Sequence, residues 1–307
     1  MSTFDVPIGW AGGTALTNID QVRAEATYAV EAGFDSFWVS QIFGVDPIVA
    51  LASVATIVEP LAEVGTSVVP LYGRHLLALA SQARTAQAVL GGRFTLGIGP
   101  SHAMVVEGFF GESYDRPFSH SAEFIAAINP LLRGEPTDLE GRELTAKGWL
   151  TIDADPVPVL LAALGPRMLE LAGAHTLGTT LGPGLGPKTI ANHIAPTINA
   201  AADPGGPPPR VQALVAVCIT DDPAAAIEHS RSINTMYAQL PAYRAMLDRE
   251  GLDSPADLLV AGSIDDIVTG INLYIEAGAT DIRLGIGAPD HEIYQQTRTE
   301  IAALLGS

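Results

Sequence analysis

Residues 91–102 read GGRFTLGIGPSH: a glycine pair, an apolar run of strand length, and a turn of small residues that ends on a histidine. The run before it, HLLALASQARTAQAVLGG, carries apolar residues at helical spacing, and the glycine pair is the stop signal for such a helix. Helix, glycine stop, buried strand and turn make up one step of a βα alternation. On the local sequence alone the turn is either a ligand seat or a tight corner.

The same step repeats in both directions. Upstream, VPIGW reads as a short buried strand, 19–32 as a helix with Val22, Ala26, Ala29 and Val30 on one face, and FDSFWVS as a second strand. Pro47 opens a helix bearing Leu51, Val54, Ala55 and Val58, and VGTSVVP follows as a third strand. Downstream, VPVLLAAL, LGTTL, VQALVAVCIT and TDIRLGIG read as strands, with helices over 168–173, 188–201 and 264–277 and another at the C-terminus. Strands that are apolar throughout belong to a parallel sheet covered on its outer face. About eight βα units in 307 residues predict an α/β protein, a closed (β/α)8 TIM barrel forming a single domain over 1–307. A doubly wound open sheet is the alternative. Two regions break the rhythm, 111–150 after strand four and 221–257 after strand seven, and both read as excursions suited to lids or binding elements. The run DPGGPPPR reads as a surface linker.

Acidic residues outnumber basic ones 34 to 16, for a formal charge of −18, and no Lys/Arg cluster stands out. That balance argues against nucleic acid or an anionic membrane as partner. Cys218 is the single cysteine, so neither an intrachain disulfide nor a cysteine metal cage is available, and its apolar surroundings predict a buried thiol. The stretch MSTFDVPIGWAGG has neither a basic nor a long apolar segment, which gives the expectation of a soluble, cytoplasmic protein.

In a barrel the chemistry sits where strands end, here 10–14, 40–43, 67–72, 99–102, 163–166, 180–186 and 285–288. Most of these residues are small or apolar, which suits a flat aromatic cofactor lying on backbone. No GxxxxGK[ST], GxGxxG or GxSxG motif is present, and no histidine pair has HxH or HExxH spacing, so a metal site is not expected. In LLAALGPRMLELAG, Gly165 and Pro166 stand between a strand and a helix. The amides of Ala163, Leu164 and Gly165, with Arg167 nearby, form either an anion seat or a plain strand-to-helix turn.

Taken together, GTSVV, YGRHLLALASQARTAQAVLGGRFTLGIGPSH and AALGPRMLELAG resemble the luciferase-like superfamily, and within it the oxidoreductases that use the deazaflavin coenzyme F420. The resemblance spans nearly the whole chain. It implies a (β/α)8 barrel, commonly a homodimer, and hydride transfer at carbon five of the deazaflavin. It also implies a bulge in the third strand with a non-prolyl cis peptide at Ser67–Val68, so that Ser67, Val68 and Val69 cushion the ring. By the same resemblance Ala163, Leu164 and Gly165 offer amides to the cofactor phosphate, and Pro100, Ser101 and His102 line the ring edge. Arg74 and His75 are candidates to meet the anionic tail.

Relatives such as the glucose-6-phosphate dehydrogenases of this group carry an Asp-His pair after strand two and an acid after strand four. Here WVSQIFG puts Gln41 and Ile42 at the first place, and His102 stands at the second. His102 is therefore the candidate proton donor or acceptor, Gln41 a hydrogen-bonding partner for a ring or substrate carbonyl, and Ile42 a packing surface. Tyr114, Asp115 and Arg116 in GESYDRP belong to a candidate lid or a salt-bridged loop. The expected function is hydride transfer between coenzyme F420 and a small organic molecule. An FMN-dependent luciferase-like monooxygenase and a non-catalytic flavin- or deazaflavin-binding protein are the alternatives.

Overall fold

The computed structural model describes residues 3–13, 16–41, 43–235 and 239–306. Strands β1 (Ile8–Ala11), β2 (Ser36–Val39), β3 (Glu63–Thr66), β4 (Phe94–Gly99), β5 (Val159–Leu161), β6 (Gly178–Thr180), β7 (Arg210–Ile219) and β8 (Asp281–Ile286) pair in parallel in that order. The ring closes because β8 pairs with β1 through Ile8 and Ile282, while β7 pairs with β6 and with β8. The barrel expected from the sequence is therefore the one observed. A further strand, Val260–Gly262, lies against the outer end of β7.

Helices cover the outside. α1 (Ile19–Glu31) begins where the Asn18 side chain accepts the Gln21 N–H, and it buries Val22, Ala26 and Ala29. α2 (Pro47–Ser53) is shorter than its apolar spacing suggests and ends before Val54. α3 (Leu76–Val89) is capped by Leu90, and the glycine pair Gly91–Gly92 follows it. α4 (Pro117–Leu132) lies inside the region read as the first excursion and is the barrel's own fourth ring helix. Pro117 stands at its first turn, where an N–H would be unpaired anyway, and Phe124, Ile125, Ile128 and Leu131 are buried. The hairpin Thr137–Glu140 with Thr145–Gly148 follows it.

α5 (Pro166–His175) and α6 (Ala195–Ala201) follow β5 and β6. α7 (Pro223–Ile233) and α8 (Pro241–Glu250) make up much of the second excursion. α9 (Ile264–Glu276) starts in a reciprocal Ser263–Asp266 capping box, and α10 (His291–Leu305) completes the ring. No helix among the described residues is long and apolar enough to cross a membrane. Cys218 is buried, and burial pushes its thiol up to about 11, so it stays protonated at neutral pH.

The bore is packed with side chains. Trp38 is 1 % exposed, and its indole N–H donates to Ser36 Oγ at 2.8 Å. Gly9 and Gly65 leave room for it, since a Cβ at either position would overlap Ser36 Oγ or the indole ring. At the entry end of the strands, Arg210 of β7 donates to both carboxylate oxygens of Glu63 of β3 at 2.8 and 2.9 Å. It also donates to both oxygens of Asp281 of β8 at 3.1 and 2.9 Å. β3 and β7 are diametrically opposite, so this guanidinium spans the barrel floor. Arg210→Met should strand two carboxylates and lower stability by about 2–4 kcal/mol, somewhat under the cost for fully buried pairs because the groups retain some solvent access. Chemical denaturation would show this as a lower midpoint at unchanged slope, and an unchanged midpoint would refute the clamp.

Candidate active site

The outgoing ends of the strands converge on one mouth, and β3 breaks there. After Thr66 the chain passes through a cis Ser67–Val68 peptide and resumes pairing with β4 at Val69 and Pro70. The break is held on all sides. Ser67 N–H donates to Val39 O at 2.9 Å, Gln41 N–H to Val68 O at 3.3 Å, and Ser40 Oγ–H to Ser67 O at 2.5 Å. Thr180 Oγ donates to Gln212 Oε1 at 2.8 Å, so in the 3.2 Å contact between Ser67 Oγ and Thr180 Oγ1 the Ser67 hydroxyl is the donor. Ser67 thus retains lone pairs for a ligand. Beside the break, a Cβ on Gly99 would touch both Val68 and Ala162, so the floor is flat and made of small groups.

β4 ends at Gly99, and Pro100 and Ser101 carry the chain outward. Ser101 has φ +60°, the left-handed region that few non-glycine residues occupy, and its carbonyl accepts the Tyr114 hydroxyl at 2.9 Å. His102 caps the short helix Ala103–Val105 and stands 6.0 Å, ring to ring, from Tyr243 of α8. The second excursion therefore reaches over the mouth, where Tyr243 Oη also lies against Gly182. Burial lowers the pKa of His102 below its ordinary 6.5, which leaves the imidazole neutral at neutral pH.

Gln41 and Arg74 are joined. Arg74 donates to Gln41 Oε1 at 2.7 Å, to Asp46 Oδ2 at 3.1 Å and to Gln82 Oε1 at 3.1 Å. With its oxygen engaged, Gln41 offers its amide N–H groups to a ligand, and the charge of Arg74 is balanced by Asp46. His75 is exposed at the start of α3, where Nδ1 accepts the Leu77 N–H at 3.2 Å. Arg116 pairs with Glu143 of the hairpin at 3.3 Å, a salt-bridged loop. Thr14 and Ile42 lie outside the described residues.

Across the mouth, Ala163, Leu164 and Gly165 link β5 to α5. Their amides make no hydrogen bond among the described residues, and Gly165 caps α5 without a side-chain partner. A Cβ on Gly165 would meet nothing within 4 Å, so open space faces it. The Arg167 guanidinium lies 3.8 Å over the Phe118 ring, with no carboxylate partner among the described residues. Unfilled amides, a helix N-terminus and a cation together suit a phosphate.

Sequence reasoning missed the support beneath these groups. Thr180 and Gln212 lie under Ser67, and Arg283, 3 % exposed, donates to Leu181 O at 2.6 Å. Burial pushes Arg283 down to about 10, and its Nε and Gln212 Nε2 have no hydrogen-bond partner among the described residues. Polar residues inside otherwise apolar strands were the available signal.

The sequence model of the luciferase-like monooxygenase family matches residues 1–270. A 5,10-methylenetetrahydromethanopterin reductase of Methanolobus tindarius is 27 % identical over 78 % of this chain and 73 % of its own length. A putative coenzyme F420-dependent oxidoreductase of Mycobacterium tuberculosis is 29 % identical over 71 % of this chain and 68 % of its own. Among solved structures, an F420-dependent secondary alcohol dehydrogenase in complex with an F420–acetone adduct superposes with a TM-score of 0.81 at 19 % identity, covering 98 % of this chain and 99 % of the other.

Folding leaves His102 with a lowered pKa, so acidification through 6.5 protonates the unfolded chain first and stability falls. The loss begins near the unfolded pKa and is complete below the folded one. An NMR titration should place the His102 midpoint under 6.5, and His102→Ala should weaken the acid sensitivity of unfolding. A midpoint at or above 6.5 would contradict the burial described here.

Proposed function

Because the chain belongs to the luciferase-like monooxygenase family, we propose that it is an oxidoreductase that moves a hydride between coenzyme F420 and a small organic substrate carrying a carbonyl, enone or alcohol group. The observation that carries this reading is the pairing of two features at one barrel mouth: the flat floor at Ser67–Val68 and the unfilled amides of Ala163, Leu164 and Gly165. A ring and a phosphate on one molecule fit that pair. When bound, the coenzyme supplies a two-electron carrier that exchanges a hydride at carbon five.

The chain's own groups do the rest. Ala163, Leu164 and Gly165 donate to the phosphate, and Arg167 supplies a nearby positive charge in an acidic protein. Ser67, Val68 and Val69 support the ring, with Pro100 and Ser101 along its edge. Gln41, oriented by Arg74, donates to a ring or substrate oxygen. His102, neutral at neutral pH, accepts the proton of an alcohol as it is oxidised; in the reverse direction it takes a proton from solvent first, and the imidazolium so formed gives it to the carbonyl as that is reduced. Arg74 and His75 border the path of the anionic tail, Arg74 with its charge already balanced. The same reading takes the protein to be a cytoplasmic homodimer, without nucleic-acid or membrane partners.

The test is parallel fluorescence titration with coenzyme F420 and FMN, in the wild type and in Gly165→Asp. The wild type should bind the deazaflavin selectively. Aspartate fits the open space at Gly165 and is a good helix cap, so the variant should fold normally while binding at least about tenfold more weakly, its carboxylate opposing the phosphate. Preference for FMN would replace this reading with the monooxygenase one; binding of neither would remove it.

A further inference from the structure

The Leu164–Gly165 peptide is held from behind. His193 Nε2 lies 2.8 Å from the Leu164 carbonyl oxygen. A carbonyl only accepts, so Nε2 carries the hydrogen whether the ring is neutral or charged. Ser67–Val68 is the cis bond among the described residues, so Leu164–Gly165 is trans, and in a planar trans peptide the C=O and the following N–H point in opposite directions. With the Leu164 oxygen turned to His193, the Gly165 N–H is turned away from it, toward the exposed side where it has no partner among the described residues.

His193 is an unusual occupant of its position. It lies on the π-helical turn Ile190–Ile194 and is 7 % exposed, between Ile190 and Ile194 at 0 % each. An aliphatic residue would satisfy packing alone at such a place. A buried imidazole needs a polar partner, and among the described residues the Leu164 oxygen is that partner.

We propose that His193 is a positioning residue for phosphate recognition: by holding the Leu164 carbonyl it keeps the Gly165 N–H aimed at the anion. The proposal rests on the coenzyme reading above. Without that bond the peptide can rotate and turn its carbonyl toward the phosphate, replacing a donor with a repulsive acceptor. The ring floor at Ser67–Val68 stands on a different strand and should not sense the change. The effect is therefore specific to ligands that carry the phosphate.

The experiment measures dissociation constants by fluorescence for two probes that differ only in that group: 8-hydroxy-5-deazaflavin with a phosphorylated ribityl chain, and its dephosphorylated form. Wild type should prefer the phosphorylated probe. His193→Leu should weaken that probe about tenfold and leave the other within about twofold, the loss expected for one hydrogen bond to a charged group. His193→Gln, which keeps a side-chain N–H donor, should recover most of the affinity. His193→Phe keeps a ring without the donor and decides the matter if the leucine variant does not fold. Equal losses on both probes would make His193 merely structural, and unchanged affinity in the donor-free variants would equally overturn the proposal. A wild type that binds neither probe, or does not distinguish them, would instead fail the coenzyme reading and its phosphate seat, and the proposal with them.

Discussion

A single guanidinium at the base of the barrel sets the geometry of a mouth at the other end. Arg210 binds Glu63 on the opposite wall and Asp281 on the neighbouring strand, each through two hydrogen bonds, and Thr95 donates to the same Glu63. A closed parallel sheet has one free variable that matters for a ligand site, which is how far the strands are staggered as they close. A planar cation held by two carboxylates tolerates little play in that stagger. With the floor tied, the outgoing ends of β3, β4, β5 and β6 reach the mouth in fixed relation, and the residues that follow them can form a site without a rigid framework of their own.

That site is built chiefly from backbone. Its floor is a peptide pair bordered by Gly99 and Ala162, and the anion seat proposed for it is a row of amides. Small residues at strand ends let a flat ligand lie against main chain, and the polar side chains then act from behind or from the edge. Thr180 orients the Ser67 hydroxyl, His193 holds the Leu164 carbonyl, and Arg74 occupies the oxygen of Gln41. In each case one side chain, by engaging a polar atom of another group, determines which atom that group has left to present. In the proposed reading His102 and Gln41 are the exceptions, the side chains that meet substrate themselves.

The alternation of apolar strands with helices was legible because the two periods are local. The resemblance carried by the 91–102 stretch and by LLAALGPRMLELAG marked the two sides of the mouth, and the Ser67–Val68 bond proved to be cis where the resemblance put it. Less legible was α4, hidden by Pro117 and Pro130, since prolines signal a break unless their place within the helix is known. Arg74 is similar: its charge was visible, but its partners Asp46 and Gln41, distant in sequence, were not.

By itself the sequence determined the fold class, the order of strands, the family, and which turns would face the mouth, because periodicity and short motifs are properties of neighbouring residues. Only the tertiary structure decided how those turns are tuned. The hydrogen bonds from Ser67 to Thr180, His193 to Leu164, Arg210 to Glu63 and the approach of Tyr243 to His102 join residues tens to more than a hundred positions apart. Which donor meets which acceptor across such distances depends on barrel closure and stagger, and no local pattern encodes it.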